Sequence, residues 1–235
     1  MQSTELDPVL SAMMQNSKKN TLRLVIGDKN LSSWSMRPWL VLKNFGIPFE
    51  EITVKLDQRE TSQQIANFSS SGRVPVLLDG ELVVWDSLAI CEYLAEHFSD
   101  RGLWPSAPQA RATARSVCAE MHSGFSALRS SMPMNIKANF AGKGRNAGSQ
   151  ADIGRISEIW EECLAKYGAN HFLFGDFSIA DAFFAPVVMR FKTYDVSLAP
   201  ALHAYVERVY AHPAVQDWVR GALAEPDQSD TLDYK

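Results

Sequence analysis

The spacing of hydrophobic and polar positions changes character near residue 100. Before it, short β-branched runs alternate with helical stretches; after it, only helical spacing recurs. Thr21–Ile26 is apolar and β-branched and predicts a buried strand. In Arg37–Phe45, apolar Trp39, Leu40, Leu42 and Phe45 sit between an early Pro38 and a trailing Gly46, which bounds a helix. Phe49–Val54 predicts a second strand and Thr61–Phe68 a short helix. Val76–Leu78 and Leu82–Trp85 form a hairpin around Asp79-Gly80. Ser87–Phe98 closes this half, with Ala89, Ile90, Tyr93, Leu94 and Phe98 on one helix face. The order β-α-β-α-β-β-α predicts a mixed sheet: a parallel βαβ unit joined to an antiparallel hairpin.

Residues 99–109 hold two prolines and a glycine without an apolar period, and read as a linker. Beyond it, Pro108–Leu128 is alanine-rich and predicts one helix. Ile153, Ile156, Trp160, Cys163, Leu164 and Tyr167 recur at helical spacing. Ser178-Ile-Ala-Asp181 has the form of a capping box. The helix it opens is apolar on most sides, so it belongs in the middle of a bundle, and Pro186 predicts a kink. Pro200–Tyr210 is the next helix, stopped by His212-Pro213. Polar, glycine-containing Asn135–Gln150 predicts a mobile loop, and Asp227–Lys235 a loose tail. The expected architecture is therefore α/β plus all-α: an α/β domain over 21–99 and an all-helical domain over 108–225. A polar extension over 1–20 precedes them.

Composition narrows the chemistry. With 23 basic and 27 acidic residues the net charge is −4, which argues against a nucleic-acid partner. Cys91, Cys118 and Cys163 are far apart and form no Cys-x-x-Cys, so neither zinc nor a dithiol centre is expected. Free thiols fit a reducing, cytoplasmic setting. The chain lacks a basic start followed by an apolar run, and lacks an apolar stretch of about 18 residues, so neither a signal peptide nor a membrane span is expected. His97, His122, His171, His203 and His212 are scattered and read as surface or packing residues, with no metal site among them.

Three short segments carry candidate chemistry. The element order with Pro75 just before the third strand resembles a thioredoxin-type domain, and that resemblance implies a cis Val74–Pro75 bond. The backbone of Val74 would then pair with an extended peptide ligand. Asp86-Ser87 opens a helix. A cap would account for the pair, yet the same geometry holds a ligand: helix N–H groups and the Ser87 hydroxyl suit a carboxylate, and Asp86 suits an ammonium. An amino-acid head group, such as the γ-glutamyl end of glutathione, carries both charges. Asn30-Leu-Ser-Ser-Trp-Ser-Met-Arg37 holds three serines in four residues, more than one cap requires. A hydroxyl there can donate to a thiolate. Lowering a thiol by about two units from about 8.5 takes about 2.7 kcal/mol, within reach of one hydrogen bond to a charged acceptor at roughly 1.5–3 kcal/mol.

Together Ser32-Ser-Trp-Ser-Met-Arg37, Arg73-Val-Pro-Val-Leu77, Asp86-Ser87 and Ser178-Ile-Ala-Asp181 resemble the cytosolic glutathione S-transferases. The likeness spans roughly residues 21–220 and is greatest to zeta-like bacterial members of the serine type. It implies a thioredoxin-like N-terminal domain followed by an all-helical C-terminal domain, with glutathione as cosubstrate. By the same resemblance Ser32 is the thiol-activating serine, with Ser33 as the neighbour that shares or takes over the role. Val74 would hold the cysteinyl backbone, Asp86 and Ser87 the γ-glutamyl end, and Arg73 either the glycine carboxylate or nothing at all. Asp181 would serve folding. Two positions depart from the zeta pattern: Trp34 stands where a cysteine is usual, and Asp86 where Glu or Gln is commoner. The implied function is a cytoplasmic, homodimeric detoxifying transferase that adds glutathione to an electrophile held against the helical domain. Phe125, Met132, Met134 and Phe140 are candidates to line that pocket. A glutathione-dependent isomerase or dehalogenase, and a non-catalytic protein that binds glutathione or apolar ligands, remain as alternatives.

Overall fold

The computed structural model describes residues 21–168 and 171–226. The expectations for residues 1–20 and 227–235 lie outside these. Strands β1 (Leu22–Gly27), β2 (Phe49–Val54), β3 (Val76–Asp79) and β4 (Leu82–Trp85) form one sheet in the order β2-β1-β3-β4. β1 runs parallel to β2 and antiparallel to β3, and β3 to β4, so the sheet is mixed as the element order requires. Asp79 pairs with Leu82, which centres the hairpin turn on Gly80-Glu81, and Gly80 takes φ 59° there.

Helices α1 (Ser33–Asn44), α2 (Thr61–Ala66) and α3 (Ser87–His97) accompany the sheet. Period-two alternation decides what each face buries. Leu22, Leu24, Ile26 and Leu77 join a core shared with α1 and α3, whereas Val25, Val54, Val76 and Leu78 pack with Ile65 of α2 on the other face. Covered on both sides, β1 reads as an almost unbroken apolar run.

The second half is helical: α4 (Pro108–Ser123), α5 (Ser126–Ser131), α6 (Ala147–Cys163), α7 (Ile179–Thr193), α8 (Pro200–Ala211) and α9 (Pro213–Ala224). α7 is buried nearly all round and packs against α1, α4 and α8, in the middle of the bundle as its composition demands. It runs through Pro186 as one helix. One hydrophobic cluster continues from the sheet's helical face into this bundle. Leu103 and Trp104, in the segment read as a linker, are buried in it.

Three local expectations need correction. α1 begins at Ser33 rather than Arg37, so Ser33 and Ser35 are helical; Ser35 Oγ accepts the Gly27 N–H at 3.1 Å and thereby joins the helix to β1 instead of capping it. The helix expected over Pro108–Leu128 breaks at Gly124-Phe125, where Phe125 adopts φ 60° and the chain restarts as α5. A Cβ at position 124 would meet the Glu120 carbonyl oxygen at 2.9 Å, so glycine suits this break. The stretch Asn135–Gln150 is bonded into the fold rather than loose. Ile136 N–H donates to Asn30 O, Lys137 N–H to Asn30 Oδ1, and Phe140 N–H to Thr193 O, and its last residues enter α6 through an Asn146–Ser149 capping box.

Candidate active site

A cavity of about 670 Å³ opens between the two halves, lined by Trp34, Ser71, Arg73, Val74, Pro75, Trp85, Asp86, Ser87 and His122. Four of the expected site residues, Arg73, Val74, Asp86 and Ser87, meet on it. Val74–Pro75 is cis. Among the described residues, the N–H and C=O of Val74 enter no turn or loop hydrogen bond. The Arg73 side chain is exposed at the rim.

Asp86 and Ser87 are placed by the N-terminus of α3. Asp86 is the N-cap, at φ 76°, where a non-glycine residue is strained. Its Oδ1 accepts the N–H groups of Leu88 at 2.9 Å and Ala89 at 3.2 Å, and its Oδ2 faces His122 Nε2 at 3.1 Å. Ser87 is 1 % exposed, and its Oγ accepts from Arg37 Nη1 at 3.4 Å. The Ser87 hydroxyl proton has no acceptor among the described residues.

Ser32 and Ser33 flank Trp34 in sequence; both are buried and neither lines this cavity. Their hydroxyls are not equivalent. Ser32 Oγ donates to Ser35 Oγ at 2.7 Å, so its proton is engaged. Ser33 Oγ accepts from Arg190 Nη2 at 3.3 Å, and its proton has no acceptor among the described residues. Ser33 and Ser87 thus share one arrangement: a buried guanidinium fills a lone pair and leaves the O–H without an acceptor among the described residues.

The surroundings are cationic. The guanidinium carbons of Arg37 and Arg129 lie 4.3 and 4.5 Å from the Trp34 ring centroid. Burial, then Arg129 and Arg190, push Arg37 down to about 9; burial and then Arg129 push Arg190 down to about 10. Arg37 Nε is buried without a partner. Cations gathered this close to the cavity, though not in its lining, favour an anion there.

Two expectations fail here. Phe125, Met132 and Met134 are buried core residues, and Phe140 packs against Tyr194; none lines the cavity. Phe125 is buried at the turn where the chain leaves α4, and Met132 and Met134 are buried just after α5 ends. Conversely, His122 of α4 belongs to the site, while His97 and His212 are packing residues as expected, stacked on Tyr93 and Phe177. Nothing near His122 in sequence signals this, because its partners Asp86 and Trp34 come from the other half. Among the described residues, no group of three His, Cys, Asp or Glu side chains is arranged to hold a metal ion.

The fold is a thioredoxin-like α/β domain followed by a helical domain, and comparison with known proteins agrees. Residues 31–97 match the family model of the glutathione S-transferase N-terminal domain, and residues 143–221 that of the C-terminal domain. The chain belongs to the glutathione S-transferase family. It is 28% identical to a probable maleylacetoacetate isomerase of Caenorhabditis elegans, over 85% of this chain and 91% of that one. It is 23% identical to a stringent starvation protein A homologue of Haemophilus ducreyi, over 89% and 95% of the two chains. A glutathione transferase homologue from Burkholderia, crystallised with bound glutathione, superposes with a TM-score of 0.68 at 26% identity, covering 87% of this chain and all of that one.

Proposed function

We propose that the protein is a glutathione transferase that binds glutathione in this cavity and activates its thiol for attack on an electrophile. The observation that carries the reading is the convergence of Arg73, Val74, Asp86 and Ser87 on one cavity at the N-terminus of α3. The γ-glutamyl carboxylate meets the Ser87 hydroxyl and the helix N-terminus, and the ammonium meets Asp86. Val74 pairs with the cysteinyl backbone, and Arg73 faces the glycine carboxylate. The family and the glutathione-bound relative support the same ligand.

Of the two serines, the hydrogen bonding favours Ser33 as the thiolate donor. Its proton is free and Arg190 polarises it, while the Ser32 proton goes to Ser35. The buried cations Arg37, Arg129 and Arg190 further favour thiolate over thiol. Turnover of a generic electrophile tests this: Ser33→Ala loses at least about tenfold in rate and Ser32→Ala less, a factor of ten being about 1.4 kcal/mol. Full activity in Ser33→Ala sinks the assignment.

A second reading, glutathione binding without useful turnover, is favoured by one feature. Neither Ser32 nor Ser33 lines the cavity, and Phe125, Met132 and Met134, three of the apolar side chains expected to hold an electrophile, are buried in the core. Retained glutathione binding with no turnover, including none of maleylacetoacetate, the substrate in the relatives' names, supports this reading over the first. On either reading the protein works in the cytoplasm as a homodimer. The free, buried Cys91, Cys118 and Cys163 fit a reducing compartment, and sedimentation tests the dimer.

A further inference from the structure

Among the described residues, His122 is the one cavity-lining residue drawn from the helical half. Its ring is held by aromatic neighbours from two other elements: Trp34 of α1 edge-on at 5.2 Å between centroids, and Phe183 of α7 at 6.5 Å. These contacts bury Nδ1 without a partner and turn Nε2 toward Asp86 Oδ2 at 3.1 Å. Burial, with Arg37 and Arg129 nearby, lowers the His122 pKa against the opposing pull of Asp86 and keeps the ring neutral at pH 7. A neutral imidazole has one proton, and a carboxylate facing Nε2 places it there.

The bonding capacity of Asp86 then becomes informative. A carboxylate offers about four lone-pair positions. Two on Oδ1 are taken by Leu88 and Ala89, and Oδ2 meets only His122 among the described residues. One Oδ2 position therefore has no partner among the described residues, on a residue that lines the cavity. We propose that His122 is a positioning residue for ligand recognition: by donating from Nε2 it fixes Asp86 Oδ2 so that the remaining lone pair points at the ammonium of a bound amino-acid head group. The helical half thereby takes part in reading the amino end of the ligand, which the short Asp86 side chain alone would present less firmly. This rests on the proposed glutathione site.

The test sets two variants against two ligands, measured by titration calorimetry on the full chain. His122→Phe keeps a ring against Trp34 and Phe183 but removes the donor. His122→Gln removes the ring but keeps a donor near the Nε2 position. The ligands are glutathione and its analogue lacking the γ-glutamyl amino group. The expected result is a loss of about tenfold in glutathione affinity for His122→Phe, equivalent to about 1.4 kcal/mol, and less than about threefold for His122→Gln. The analogue binds wild type and His122→Phe with the same, weaker affinity. Three results overturn the proposal: His122→Phe binds glutathione like wild type, His122→Gln loses more than His122→Phe, or His122→Phe weakens both ligands equally, as a packing role would. Wild type that binds neither ligand overturns the glutathione site itself, a failure distinct from those three.

Discussion

Asp86 and Asp181 are the same residue type at the starts of two helices, and they do opposite work. Asp86 is exposed, caps α3 with one oxygen and leaves the other facing a cavity and a histidine. Asp181 is fully buried in the first turn of α7, and both its oxygens are used. Oδ1 accepts Leu173 N–H and Tyr205 O–H, each at 3.0 Å; Oδ2 accepts Ser178 N–H at 3.0 Å and Ser178 O–H at 3.3 Å. Spare bonding capacity that faces a cavity marks a ligand site; bonding capacity exhausted inside the protein marks a folding device. Helix position alone does not distinguish the two.

The sharpest way to break this comparison is to remove Asp181. Asp181→Ala leaves four buried donors without an acceptor, and each orphaned group costs about 1–3 kcal/mol. Urea unfolding is expected to show a loss of at least about 3 kcal/mol, with glutathione affinity unchanged in the protein that remains folded. A loss below about 1 kcal/mol would contradict the role given to Asp181.

Asp86→Asn should give the reverse pattern. Asparagine still caps α3, so stability shifts by less than about 0.5 kcal/mol. Glutathione affinity falls about 10- to 100-fold, because a hydrogen bond to a charged group at roughly 1.5–3 kcal/mol is lost. Calorimetry in which Asp86→Asn binds within twofold of wild type removes Asp86 from the site.

A third, gentler probe is pH. Burial raises Asp181 from the ordinary 3.8 to about 6, against four hydrogen bonds that favour the carboxylate. Between those values the folded protein holds a proton that the unfolded chain has released. The corresponding stability is present below about 3.8 and is lost as pH rises through about 6. The stability difference between wild type and Asp181→Asn, followed from pH 4 to 7, isolates this group. Wild type is expected to lose ground to the variant as pH rises; a difference that does not change with pH refutes the buried titration.

The fold was legible from sequence because its signals are local. Apolar periods, Pro75, the hairpin turn and the Ser178–Asp181 box each act within a few residues, and each fell at or close to its expected place, the turn shifted by one residue and the first helix starting four residues earlier. Arg73, Val74, Asp86 and Ser87, which line the cavity proposed to bind glutathione, were singled out by local signals of the same kind. Those from the helical half were not. His122 lines the cavity only through the packing of α4 against the α/β half, and Arg129 and Arg190 come near it in the same way, one against Trp34 and the other bonded to Ser33; single polar residues carry no periodic signal. The break at Gly124-Phe125 was missed because an alanine-rich helix continues plausibly past one glycine, whose penalty is only about 1 kcal/mol. That break also removed Phe125, Met132 and Met134 from the expected electrophile pocket.

The smallest effect separates the two duties of Asp86 itself. Asp86→Glu supplies the residue commoner at this position in the family. The added methylene lets the carboxylate reach further into the cavity, but a longer side chain caps N2 and N3 poorly, and φ 76° at this position already limits its rotamers. Stability is therefore expected to fall by about 0.5–1 kcal/mol through the weakened cap. The affinity change should stay within about fivefold, because reach gained toward the ammonium is offset by loss of the fixed contact with His122. Combining Asp86→Glu with His122→Phe sharpens the point. If His122 acts by holding the short Asp86 in place, its removal matters less once the carboxylate reaches the ligand unaided, and the two changes are less than additive. Strict additivity would mean that His122 and Asp86 contribute to the site independently, and would return His122 to the packing role its sequence context suggested.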